Sequence, residues 1–208
     1  MTAPGESGLR WRMAGRQEKG GLEQRLIAIL RGCSRLMQVL AVLRSLHPPD
    51  WMVMSGAVYQ PVLNRLTGRP PEHGIKDYDV GYFDPDTSYE AEDRVIRRVA
   101  AAFAPPLDTL VEVRNQARVH LWFEGHFGEP YAPLTHTAEA LTRFISPLNA
   151  VGVRLAADDR LLVEAPFGLE DLFDLRLRPN PLRRERSFER IAAGMCARWP
   201  ELRLEAAA

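Results

Sequence analysis

The sequence is poor in cysteine and lysine, with only Cys33 and Cys196, and Lys19 and Lys76, and it has no net charge. Two thiols make neither a disulfide scaffold nor a cysteine-built zinc site, so both are expected as core thiols. The 27 basic and 27 acidic residues balance. No global field therefore draws the chain to a polyanion or an anionic bilayer, which argues against strong nonspecific binding of nucleic acid. No apolar run reaches the roughly 20 residues that span a membrane; the longest, around Leu36 to Leu43, is closed off by Arg35 and Arg44. The beginning of the chain carries Arg10, Arg12, Arg16 and Lys19 without the apolar stretch of a secretory signal. These absences together predict a protein of a reducing, cytoplasmic setting with no membrane partner.

What is present is the balance of a globular protein: 208 residues, 46% hydrophobic and 26% charged. A chain of this length buries roughly 70% of its unfolded surface and needs no staples. Residues 1–20 are expected to be a flexible tail and 21–208 a single domain. Leucines recur at helical spacing from Leu22 to Leu30 and from Leu36 to Leu43, predicting two helices or one kinked helix that end before Pro48 and Pro49. Trp51-Met52-Val53-Met54 reads as a buried strand entering a tight turn at Ser55-Gly56. A helix is predicted from Val58 to Leu66, with Pro61 tolerated in its first turn. Strands are predicted over Asp77–Phe83 and Leu107–Val113, on either side of a helix from Ser88 to Phe103 capped by Ser88. Helices over Asn115–Glu124 and Thr137–Phe144, a hairpin around Asp158-Asp159, a short helix over Leu169–Leu175 and a last helix over Ser187–Arg198 complete the pattern. Strands and helices mix without strict alternation, which predicts an α+β fold.

The chemistry concentrates on Asp77 and Asp79. Residues two apart in a strand share a face, with Cα atoms roughly 6.5 Å apart. Two such carboxylates repel unless cations lie between them, and a third from the next strand would complete an oxygen cage suited to Mg²⁺ or Mn²⁺. Glu112 is the choice for that third group, with Asp108 further back on the same strand and Asp84 and Asp86 weaker. A strand, a small-residue turn and a helix start at Ser55-Gly56 offer backbone N–H groups and a helix dipole to an anion. The bland alternative is that Asp77 opens a strand and Asp79 is solvated.

Ile75-Lys76-Asp77-Tyr78-Asp79, Asn115 to Trp122 and Ala165 to Asp174 give these features a family resemblance. With Ser55-Gly56 and a following acidic strand, they resemble the nucleotidyltransferase superfamily that includes DNA polymerase beta, and within it a bacterial nucleotidyltransferase-like family long catalogued as a domain of unknown function. The likeness runs from about Gly56 to Asn180 and, more weakly, on to Pro200. It implies a small mixed sheet flanked by helices, and metal-dependent nucleotidyl transfer from an NTP to an unknown acceptor. In that implied role Asp77, Asp79 and Glu112 are the catalytic residues and the Mg²⁺ or Mn²⁺ ligands, and Ser55 and Gly56 steady the phosphates. The sequence departs from the family at Ala57, where the turn usually has glycine or serine, and Ser55 is the available substitute.

Asn115, Gln116, Arg118 and His120 either line the nucleotide pocket or form a buried network that fixes the helix after the third strand. Arg114 and Arg118, four apart, suit one helical face holding phosphate, or a salt bridge to Glu112 or Asp79. Lys76 either approaches the triphosphate or leads into an exposed strand without a role. No two of His73, His120, His126 and His136 have the i, i+4 spacing of a helical zinc site. Arg183-Arg184-Glu185-Arg186 reads as a solvated helix entry, with a polyanion guide as its alternative. Two further readings stay open beside transfer: a non-catalytic nucleotide- or protein-binding module on the same fold, and a phosphodiester hydrolase.

Overall fold

The computed structural model describes residues 21–182 and 187–205. The predicted tail and the Arg183–Arg186 run lie outside the described residues. Helix α1 (Gly21–Arg31) and helix α2 (Ser34–Leu46) meet at an angle of 96°. Helix α2 ends at His47, whose left-handed φ of 48° turns the chain into Pro48-Pro49. Strand β1 (Met52–Met54) leads through Ser55 into helix α3 (Gly56–Leu66). This helix starts two residues before its predicted start, so Pro61 lies in its second turn rather than its first.

Strand β2 (Tyr78–Tyr82) is followed by helix α4 (Tyr89–Ala100), a short helix α5 (Leu107–Leu110) and strand β3 (Val111–Asn115). As predicted, the Ser88 hydroxyl caps α4 by accepting from the Ala91 amide at 3.3 Å. The predicted strand over Leu107–Val113 is corrected: its first half is α5, and the strand begins at Val111. Asp108 therefore sits on a helix and does not share a strand face with Glu112. A 3₁₀ turn (Gln116–Arg118), helix α6 (Val119–Phe127) and a 3₁₀ helix (Thr137–Arg143) come next. The hairpin of β4 (Gly152–Leu155) and β5 (Leu161–Glu164) forms where Asp158-Asp159 marked it. Short helix α7 (Glu170–Phe173), strand β6 (Arg176–Leu177), helix α8 (Phe188–Arg198) and strand β7 (Arg203–Leu204) close the described chain.

The main sheet has the order β3-β2-β1-β4-β5, with β2 and β3 parallel and the other pairs antiparallel; β6 and β7 form a separate parallel pair. This is the predicted α+β architecture, a small mixed sheet flanked by helices. One sheet face presents Val53, Tyr78, Val80, Tyr82, Val111, Val113 and Val153 to a single large core. That core also takes Leu36, Val39, Leu40 and Leu43 of α2, and Ala192, Met195 and Trp199 near the end of the chain. No single helix among the described residues is long and apolar enough to cross a membrane, and Leu26, Leu30, Leu36, Leu40 and Leu43 of the bent α1–α2 pair are buried in this core. The opposite face has a smaller apolar cluster, Met52, Met54 and Leu141. The remainder of that face opens into a cavity.

Candidate active site

The open face holds Asp79, Gly81, Glu112 and Arg114. Asp79 and Glu112 are register partners on parallel strands, and Met54 is the partner of Asp79 on β1. Side chains in such register point to the same face. A cavity of about 290 Å³ lies above them, with Ser55, Asp79 and Glu112 in its wall. Gly81 also lines it, and a Cβ there would strike Met54 Cε and come within 3.0 Å of Thr137 Cγ2.

Burial, first, and then the charges of Asp77 and Glu112 push the Asp79 carboxyl up to about 6, while a hydrogen bond donated by the Ser55 hydroxyl pulls the other way. Two of the three acidic residues picked from sequence thus act on the third. Their placement differs in one respect, since β2 begins at Tyr78 and Asp77 stands just ahead of the strand. Ser55 has φ 62° and ψ −136°, a conformation that favours glycine. Backbone held there by its surroundings is a recurrent mark of functional turns. Its hydroxyl is directed to Asp79. Gly56 is buried and makes room for Gln60, whose Nε2 would lie 2.8 Å from a Cβ at that position.

A divalent cation suits this donor set electrostatically, because three mutually repelling carboxylates have an affinity for positive charge. Their positions do not close a ligand shell: among the described residues no three His, Cys, Asp or Glu side chains converge to hold a metal ion. Glu112 instead stands 3.9 Å from the Arg114 guanidinium.

Of the other predicted nucleotide contacts, Gln116 lines the cavity, while Asn115, Arg118, His120 and Lys76 do not. Asn115 faces away from the cavity and is buried. Its Oδ1 accepts from the Asp84 and Ala117 amides, and its Nδ2 donates to the Asp84 and Asp86 carbonyls. Arg118 is ion-paired to Glu92 at 2.9 Å and donates to the Ser88 carbonyl. Glu92 also accepts from the Asn115 amide at 2.9 Å. These residues form a buried network, but it binds the start of α4, the helix before β3, to the end of β3 rather than fixing the helix after it. Arg114 lies on a strand and Arg118 ends the 3₁₀ turn, so they share no helical face. Lys76 is exposed in the loop before β2 and does not line the cavity. Of the two thiols, Cys33 is buried, with its pKa raised by that burial, and Cys196 packs partly against the core.

Sequence reasoning missed the far wall, formed by Trp122, Phe123, Tyr131, Arg143 and Phe144. A signal was available: Val119-His120-Leu121-Trp122-Phe123 continues to Phe127 with little polar stripe, and α6 buries only Val119.

The fold and this acidic face define a nucleotidyltransferase class of protein. The family model described as Nucleotidyltransferase matches residues 41–204, and the chain belongs to that family. A solved structure described as revealing a CCA-adding enzyme head domain is similar, with a TM-score of 0.70 and 25% identity over 88% of this chain and 96% of that one. Comparison with curated proteins finds no match.

Proposed function

We propose that this chain transfers a nucleotidyl group from an NTP to an acceptor hydroxyl in a metal-dependent reaction. The observation that carries the reading is the register pairing of Asp79 with Glu112 at the wall of a cavity that also receives Ser55. Asp77, Asp79 and Glu112 are the residues that would hold Mg²⁺ or Mn²⁺, with Glu112 released from Arg114. When bound, such a cation supplies positive charge beside the phosphates. The triphosphate lies toward Ser55 and the N-terminal end of α3, where backbone dipoles favour negative charge. The acceptor oxygen bonds to the α-phosphorus, the bond to the β-phosphate bridge breaks, and pyrophosphate leaves. The hydroxyl proton passes to Glu112.

Incubation with α-labelled ATP, GTP, CTP or UTP, Mg²⁺ or Mn²⁺ and cell extract tests this directly. Label should move to an acceptor, with release of pyrophosphate, and Glu112→Gln should abolish it. The observation that no ligand shell closes favours a second reading, a nucleotide-binding module without turnover. NTP-dependent stabilisation without transfer by the parent protein would establish that reading instead.

A further inference from the structure

A nucleotide brings its base to a site on a short tether, because one ribose separates the base from the α-phosphate. Where the phosphates meet Ser55, Asp79 and Glu112, the base therefore lies in the same cavity or at its mouth. Four rings line that cavity, those of Trp122, Phe123, Tyr131 and Phe144. Phe144 is packed against Met52 and Met54 of β1. Val119, Trp122 and Phe123 are three and four apart on α6, which turns all three side chains to the cavity. The Phe123 ring is closely flanked, with the Tyr131 and Phe127 centroids 4.6 and 4.7 Å away, and Arg143 stands over Tyr131 at 5.8 Å. Trp122 differs. Its ring contacts among the described residues lie at 6.0 to 6.4 Å, tilted or edge-on, and none is face to face. It remains 40% exposed although it lines the cavity.

We propose that Trp122 seats the nucleobase of the incoming NTP by stacking. The proposal rests on the nucleotidyl-transfer reading, which puts the phosphates beside Asp79 and Glu112. Every base has a flat π face, so an open indole holds any of the four by area and stacking. Hydrogen-bonding groups for the base edge are less available. The Gln116 amide donates to the Arg114 carbonyl at 3.3 Å, and Arg114 and Arg143 each have a carboxylate nearby, Glu112 and Glu139. The seat is therefore strong in stacking and weak in choice among bases. An acceptor held on the same ring would leave NTP affinity indifferent to Trp122, whereas a tethered base makes that affinity depend on it.

The test is calorimetry of the full-length protein with Mg²⁺ and either ATP or inorganic tripolyphosphate, which has the phosphates without base or ribose. Trp122→Ala should weaken ATP binding about fivefold or more and leave tripolyphosphate binding unchanged. Trp122→Phe restores a flat ring and should recover most of the ATP affinity. GTP and UTP should follow ATP in both variants. ATP affinity that ignores Trp122→Ala would overturn the proposal and leave the phosphate site intact. Equal weakening of ATP and tripolyphosphate would overturn it too, because the substitution would then act on the fold or on the phosphates. So would a Trp122→Phe variant as weak as Trp122→Ala. A parent that binds tripolyphosphate but not ATP would refute the seat alone. A parent that binds neither ligand would refute the transfer reading, and the seat with it.

Discussion

Asp79 is the residue at which charge, burial and register meet. Because the folded protein raises its carboxyl to about 6, folding takes up a proton between the ordinary carboxylate range and that value. The stability linked to this proton is complete below a pH of about 4 and is lost as pH rises through about 6. Asp79→Asn keeps the side chain's shape and removes the cost of its charge. Thermal melts at pH 8 without metal should show the variant about 1–3 kcal/mol more stable than the parent. Its stabilisation by Mg²⁺ and NTP should vanish, and an unchanged metal response would refute its role as a ligand. Asn115 has the opposite character, with a buried amide that serves four local hydrogen bonds. Asn115→Ala should cost about 2–4 kcal/mol in denaturant unfolding, because buried backbone groups lose their partners. It should leave NTP-dependent stabilisation of the remaining folded protein unchanged.

At the scale of elements, the site depends on close approach between β2 and its cover. Gly81 is needed there because any side chain meets Met54, Thr137 and Gln116. Gly81→Ala should destabilise by about 1–3 kcal/mol through overpacking and push Met54 and Gln116, which line the cavity, out of place. Urea unfolding together with ATP titration checks both effects; wild-type values in each would show that these side chains yield freely. The parallel pairing of β2 and β3 is equally consequential, since it sets Asp79 beside Glu112. Helix α4 makes the crossover between these strands, and the Glu92–Arg118 pair at 2.9 Å holds its first turn against the end of β3.

For the whole molecule, the end of the described chain belongs to the same core as its beginning. Leu26, Leu30 and Leu36 share one cluster with Ala192, Met195, Trp199 and Leu202. The Trp199 indole donates to Asn64 Oδ1 at 2.9 Å, while Asn64 Nδ2 donates to the Pro71 and His73 carbonyls. This network fixes the loop that delivers Asp77 to the site. Truncation after Leu182 would remove Ala192, Met195, Trp199 and Leu202 from the core and leave Asn64 unpartnered on one side. The truncated protein should lose its cooperative thermal transition, and near-ultraviolet circular dichroism would reveal the loss. A sharp melt near the parent's temperature would show that α8 is dispensable.

Local signals were legible in the sequence by itself. The Ser88 cap, the stop before Pro48, the Asp158-Asp159 hairpin and the strand that carries Asp79 all follow from interactions a few residues long. Helical spacing also identified the leucines of α2 before their partners were known. The sequence did not separate α5 from β3, because Leu107-Asp108-Thr109-Leu110 has too few residues to display a period. Nor did it distinguish Asn115 and Arg118 as a junction from the same residues as ligands, since either role needs polar side chains at those positions. Only the tertiary structure decided that Glu112, and not Asp108, stands beside Asp79, and that the rings of α6 face the carboxylates. Those relations depend on strand pairing and packing between distant segments, and a local pattern of residues cannot specify which distant surface it will meet.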